Sequence, residues 1–140
     1  MKDKKCIFCK IINKEIPAEI IYEDKKTIAF LDIAPAQKKG GHTLVLPKRH
    51  YEIITEIEEK DAKVIMNTLQ KLSKALLNFG EGLNIIQNNK ETAGQAVNHI
   101  HFHLIPRFSG DGITLEKWTA HKYPNEKELK TMADKIKSFL

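Results

Sequence analysis

The stretch His99-Ile100-His101-Phe102-His103-Leu104-Ile105 constrains this chain more than any other. Histidine alternates with large apolar residues, which is the period of a β-strand, whose successive side chains point to opposite faces. As a strand it sets His99, His101 and His103 in a row on one face and sends Ile100, Phe102 and Leu104 into a core. Alternate Cβ atoms stand roughly 6.5–7 Å apart, so neighbouring rings can share one small anion or divide the work at a reacting centre. A helix would point the three rings in different directions and interrupt any apolar stripe. Three uses fit the row: nucleophilic chemistry, a zinc site of the His-x-His type, or a polar strand surface.

The rest of the chain supplies a sheet for that strand. Phe8 to Asn13 suits one or two helical turns, closed before Ile16-Pro17 because proline disfavours helix in the residue preceding it. Glu19–Tyr22 and Thr27–Asp32 read as strands about the charged turn 23–26, and Ala34–Gly41 as a loop. His42–Leu46 is a third strand, closed by Pro47. Thr55-Glu56-Ile57-Glu58 has the capping-box pattern, opening a long helix with the stripe Ala62, Ile65, Met66, Leu69, Leu72 and Leu76, stopped at Gly80 or Gly82. Leu83–Gln87 and Asn98–Pro106 follow as strands around the polar loop 88–95. Asn125 caps a last helix whose Leu129, Met132, Ala133 and Ile136 are expected to face inward. Short strands and one long helix, without βαβ alternation, predict an α+β fold: an antiparallel sheet of about five strands with a short N-terminal, a long and a C-terminal helix.

At 140 residues the chain reads as one domain, 1–140, large enough for a core without staples. No apolar run is long enough to span a membrane. The segment Met1–Cys6 lacks the apolar region and cleavage site of a signal peptide. The net charge of +5 suits a polyanionic ligand. Its lysines are spread without interleaved aromatics, so a solvated surface is expected and nucleic acid is not. Two cysteines at Cys-x-x-Cys spacing, with no further cysteine, point to a reducing, cytoplasmic compartment.

The motif His99–Ile105 resembles the signature of the histidine triad (HIT) superfamily of nucleotide hydrolases and transferases. Further segments resemble it in the same order: Cys6–Ile12, Glu15-Ile16-Pro17, Ala29–Ile33, Gly41–Lys48 and Gly94-Gln95. The similarity is greatest to the small one-domain branch that cleaves purine nucleoside phosphoramidates, and it implies a sheet completed as a homodimer.

The resemblance implies roles residue by residue. His101 is the nucleophile at an α-phosphorus, its other nitrogen held by the carbonyl of His99. His103 donates to the phosphate, and His42 lies toward the leaving group. Gly94, Gln95 and Val97 bring backbone and side-chain donors to the phosphate. Asn88 stands near the ribose and phosphate. Asp32 takes the ribose hydroxyls, and Phe30, Ile33 and Ile7 wall the base. In relatives with a structural zinc, the matching ligands are Cys6, Cys9, His50 and His99. On the residues alone, Cys6 and Cys9 fit a zinc pair or inert thiols better than a redox pair, which wants a preceding strand. A tail around Trp118, His121 and Tyr123 reaches the partner's site in some relatives.

Two departures stand out. Ala96 occupies the position of a serine whose hydroxyl hands a proton to the leaving nitrogen, so better leaving groups are expected. The loop between Asp32 and His42 is longer than in that branch. The alternatives to a nucleotidyl-histidine enzyme are a zinc hydrolase with the three triad histidines as ligands and a non-catalytic nucleotide-binding protein.

Overall fold

The computed structural model describes residues 5–115 and 118–140. Its centre is a five-stranded open sheet, antiparallel throughout: β1 (Ile20–Glu23), β2 (Thr27–Leu31), β3 (Thr43–Pro47), β4 (Gly82–Gln87) and β5 (Phe102–Arg107), in spatial order β1-β2-β3-β5-β4. The triad strand thus sits inside the sheet, with Leu44 opposite His103 on one side and Ile86 opposite it on the other.

The two faces follow from alternation. Ala29, Val45 and Leu104 point to the face covered by α2 (Glu59–Phe79), where they meet Ile65, Leu69, Leu72 and Leu76. Ile28, Phe30, Leu44 and Leu46 point to the opposite face and pack on Phe8, Cys9 and Ile11 of α1 (Ile7–Ile12). Burying such side chains contributes roughly 1.5–3 kcal/mol each. His101 and His103, out of phase with Leu104, emerge beside α1.

Several boundaries differ from the sequence expectation. The triad strand begins at Phe102 rather than Asn98, because the chain is bent through 97–99, where the His99 N–H donates to the Val97 carbonyl. The three rings therefore do not form one row. No capping box forms at Thr55: Ile54–Glu56 is a single 3-10 turn and α2 starts at Glu59. The carboxylate that would close the box, Glu58, goes instead to Arg49 and Lys60, and the neighbouring Glu56 accepts the Glu52 N–H. α1 starts at Ile7 because the Cys6 sulfur accepts the Cys9 N–H. α2 ends before Gly80, where a Cβ would come within 3.0 Å of the Gly82 carbonyl oxygen and of Pro106 Cβ.

The last helix, α3 (Glu126–Lys137), forms as expected from its Asn125 cap, whose side chain accepts the Glu128 N–H. Its apolar side does not face inward. Leu129, Met132 and Ile136 are 51%, 39% and 54% exposed, and no residue of the helix is buried. An amphipathic period fixes which side of a helix is apolar, and not what covers it. None of the described helices is long and apolar enough to cross a membrane.

Leu104 is fully buried between sheet and α2. Leu104→Ala is expected to lower unfolding stability in urea by about 2–5 kcal/mol, and Leu129→Ala by less than about 0.5 kcal/mol. A comparable loss at Leu129 would mean that a partner surface covers α3.

Candidate active site

A cavity of about 330 Å³ opens between α1, the end of β2 and β5. Its walls include Ile7, Phe8, Phe30, Asp32, Ile33, Ala96, Val97, His101 and His103. This is at the small end of the roughly 300–1,000 Å³ of small-molecule sites, mostly apolar with a few converging polar groups. Phe30 is buried beneath it, whereas Ile7 is half-exposed and Ile33 stands free at the rim.

His101 is buried against the edge of Phe8, ring centroids 5.1 Å apart. Its Nδ1 lies 2.7 Å from the His99 carbonyl oxygen. A carbonyl only accepts, so Nδ1 carries the proton and Nε2 keeps a lone pair. Burial is the main cause that lowers the His101 pKa, which keeps the ring neutral. The ring of His103 lies 4.9 Å from that of His101, centroid to centroid, and burial pushes its pKa down to about 4.

His42 is off the cavity wall. It is buried beside His103, its Nε2 at 2.9 Å from His103 Nδ1 and 3.8 Å from an Asp32 carboxylate oxygen. Its Nδ1 accepts the backbone N–H of Ala36 at 3.1 Å. Burial lowers its pKa too, against the nearby Asp32 charge. Asp32 also caps the following turn by accepting the Ala34 N–H at 2.8 Å.

His99 turns away from the cavity. It is fully buried, with Nε2 at 2.8 Å from the Pro47 carbonyl oxygen. Nε2 therefore carries the proton and Nδ1 is left as an acceptor, 3.5 Å from Cys6 Sγ and 3.6 Å from Cys9 Sγ. His50 Nδ1 lies 3.4 Å from Cys9 Sγ, and all four ligand atoms fall within 4.8 Å of one another. With Zn–S about 2.3 Å and Zn–N about 2.1 Å, a tetrahedral ion sets sulfur and nitrogen ligands about 3.6 Å apart. The donor set fits zinc in atom type, spacing and outer support, since the Pro47 carbonyl fixes the His99 tautomer. Burial pushes the His99 pKa down to about 4, so the ring stays uncharged.

Asp32, His42 and His103 form a second group with ligand atoms within 4.8 Å. It does not fit a metal. The Ala36 N–H at Nδ1 forces the neutral His42 ring to carry its proton on Nε2, the atom facing the group.

The loop before the triad is braced by Gln95. Its oxygen accepts the Lys90 N–H at 2.6 Å, and its amide donates to the carbonyls of Glu52 at 2.7 Å and Val97 at 3.1 Å. The expected free side-chain donor toward phosphate is thus a correction: both amide hydrogens are engaged, and the residue shapes the loop instead. Gly94, at φ +90°, makes the left-handed turn that the loop requires. Asn88 contacts only its edge, with its side-chain nitrogen 3.5 Å from the Gly94 carbonyl, and does not line the cavity.

Sequence reasoning missed Tyr51 and Asp61. The Tyr51 carbonyl accepts the Ile100 N–H at 2.7 Å, between two triad histidines, while its hydroxyl donates to Asp61 at 2.8 Å. Lys26 donates to the other Asp61 oxygen and holds that carboxyl below its usual range. An acid inside the apolar stripe of α2 was the available signal. His121, Trp118 and Tyr123 are exposed and touch no part of the site.

Comparison with known proteins gives one matching family model, the HIT domain, over residues 13–110. An adenosine 5′-monophosphoramidase of Schizosaccharomyces pombe is 37% identical over 133 residues, covering 95% of this chain and 96% of the relative. An adenylylsulfatase of Arabidopsis thaliana is 30% identical over 138 residues, covering 96% and 69%. The crystal structure of a HIT family protein of Bacillus subtilis superposes with a TM-score of 0.88 at 39% identity, covering 98% of both chains.

Proposed function

Because this chain belongs to the HIT domain family, we propose that it is a hydrolase or transferase that cleaves purine nucleotides at the α-phosphate through a covalent nucleotidyl-His101. The observation that carries this reading is the tautomer of His101, whose lone pair on Nε2 stands in a ligand-sized cavity. Nε2 attacks the α-phosphorus, the bond to the leaving group breaks with its electron pair, and a P–N bond forms. Water, or an acceptor nucleophile in a transfer, then attacks phosphorus and returns the electron pair to Nε2. His103, on the same wall, donates a hydrogen bond to the phosphoryl oxygens as charge grows on them. Asp32, at the mouth, accepts from the ribose hydroxyls, and Phe8, Phe30, Ile33 and Ile7 enclose the base.

Ala96 lines the cavity with a methyl group. An acidic leaving group departs as an anion without a donor there, whereas an amine needs a proton. This reading favours substrates whose leaving group is a phosphate, sulfate or carboxylate anion, while the named relatives include both a phosphoramidase and an adenylylsulfatase.

Cys6, Cys9, His50 and His99 are assigned a structural zinc. It would join the N-terminus, the segment after β3 and the triad lead-in, leaving no ligand position for chemistry. The rival zinc hydrolase needs all three triad rings on one ion. Here His99 faces the cysteines, and His101 spends Nδ1 on a carbonyl. A homodimer is part of the proposal: the edge strand β4, with Ile85 half-exposed, leaves surface for a second copy. We assign the chain to the cytosol, whose reducing poise keeps both cysteines as thiolate ligands.

His101→Ala is expected to lose turnover of adenosine phosphoramidates, dinucleoside polyphosphates and adenylyl sulfate by on the order of a thousandfold or more, while binding nucleotide within about fivefold of wild type. Wild type denatured in alkali, where a phosphorus–nitrogen bond to histidine survives, should carry α-phosphate label that the variant lacks. Turnover within tenfold of wild type would overturn the assignment, and binding without turnover in wild type would favour a non-catalytic nucleotide-binding protein. Ala96→Ser should raise phosphoramidate turnover more than adenylyl sulfate turnover, and equal effects would place the proton donor elsewhere. Purified protein should hold about one zinc per chain. Cys6→Ser should release it and lower the melting temperature, yet still form the nucleotidyl-histidine where it stays folded. Metal kept by the double variant Cys6→Ser, Cys9→Ser but lost by His101→Ala would point to a catalytic ion.

A further inference from the structure

His42 has no surface on the cavity, yet its two ring nitrogens are both engaged. Following the protons along those contacts leaves one arrangement. The backbone N–H of Ala36 can only donate, so His42 Nδ1 is unprotonated. A neutral imidazole then carries its proton on Nε2, which donates across 2.9 Å to His103 Nδ1. The Asp32 carboxylate, 3.8 Å from the same Nε2, favours that proton position as well, because it can only accept. His103 Nδ1 is consequently an acceptor, and the single proton of the neutral His103 ring resides on Nε2.

We propose that His42 is a positioning residue, which through the contacts Ala36 N–H to Nδ1 and Nε2–H to His103 Nδ1 locks His103 as an Nε2–H donor. The lock starts in the backbone of the loop between β2 and β3. The chain reaches His42 through Gly41, at φ +82°, where a Cβ would stand 2.8 Å from Phe79 Cε1. Gln37, buried in the same loop, ties it to β5 through the Pro106 carbonyl at 3.1 Å and closes it through the Gly40 carbonyl at 2.6 Å. A backbone donor cannot change its protonation, so it sets the direction of the two histidines that follow.

The consequence concerns the division of work in the proposed reaction, on which the kinetic half of the test rests. His101 and His103 are held in opposite tautomers: His101 by a carbonyl acceptor at Nδ1, His103 by a donor at Nδ1. One ring therefore offers a lone pair on Nε2 and its neighbour a proton on Nε2. A nucleophile and a hydrogen-bond donor for the same phosphate need that opposition. His42 serves it without touching substrate, so its loss weakens the reaction equally for every leaving group.

The test reads the tautomers directly. In long-range ¹H–¹⁵N correlation spectra of the free, histidine-labelled protein near neutral pH, wild-type His103 and His42 should each show protonated Nε2 and unprotonated Nδ1, and His101 the reverse. His42→Gln, whose amide can still donate to His103, should keep the His103 pattern, whereas His42→Leu should shift His103 toward protonated Nδ1 or a mixture. In turnover, His42→Leu should lose about tenfold or more in kcat by the same factor for phosphoramidate and adenylyl sulfate, and His42→Gln should recover most of that loss. Protonated Nδ1 on wild-type His103 would overturn the proposal, with no need of the variants. So would a His42→Leu loss that grows with the basicity of the leaving group, since His42 would then be delivering a proton to it. The spectra need no turnover, so failure of the nucleotidyl-His101 reading would leave this outcome separately readable.

Discussion

The His99 residue is engaged at four points, and both the His101 tautomer and the candidate metal centre depend on that fixation. Its N–H donates to the Val97 carbonyl and its Nε2–H to the Pro47 carbonyl, while Nδ1 faces the two cysteines. Its carbonyl oxygen accepts from His101 Nδ1. The first three contacts hold the fourth in place. A carbonyl that wandered would release the His101 proton to either nitrogen and remove the fixed lone pair on Nε2 that the proposed chemistry needs. The cost of burying so polar a residue is met because every donor and acceptor has a partner. This explains why a bend replaces strand geometry at 97–99: an unbroken strand would keep His99 beside His101 and away from Pro47.

The same logic separates the two clusters of metal-capable side chains. Around His99 a carbonyl takes the outer proton and leaves the inner nitrogen a lone pair able to coordinate. Around His42 a backbone N–H occupies the outer nitrogen and turns the inner one into a donor. The side chains alone would not separate them, since each group mixes histidine with anionic partners. One backbone atom of opposite polarity, placed behind the ring, decides between coordination and hydrogen bonding.

That contrast also marks how far the sequence could be read. Alternation in 99–105 set the correct face for Phe102 and Leu104 and for the cavity residues His101 and His103, because side-chain period is a local property of a strand, and the α+β class followed from the order of short strands and one long helix. The grouping of Cys6, Cys9, His50 and His99 was reached only through resemblance, for no local pattern links residue 6 to residue 99. The bend at His99, the brace made by Gln95 and the acceptor role of His42 Nδ1 were not legible. Each rests on a backbone group of Pro47, Glu52, Lys90 or Ala36, and such groups are alike in every residue. For α3 the period was correct and the inference of burial failed, since partner surfaces are not written in the helix itself.

Charge in the site follows from burial. His42, His99, His101 and His103 are all held below their ordinary pKa chiefly by desolvation, with His99 and His103 at about 4. The net charge of +5 belongs to basic residues spread over the chain, and no described lysine lines the cavity. A phosphate arriving here meets hydrogen-bond donors with fixed directions, and no permanent positive charge among the described residues of the cavity wall. In a largely apolar pocket such dipoles need little reorganisation as charge shifts from phosphorus to its oxygens, whereas a mobile lysine would bind the ground state nearly as tightly as the transition state. In the proposed reaction such an arrangement favours rate over affinity, and it makes the direction of each imidazole proton, more than the presence of the imidazoles, the quantity on which the chemistry turns.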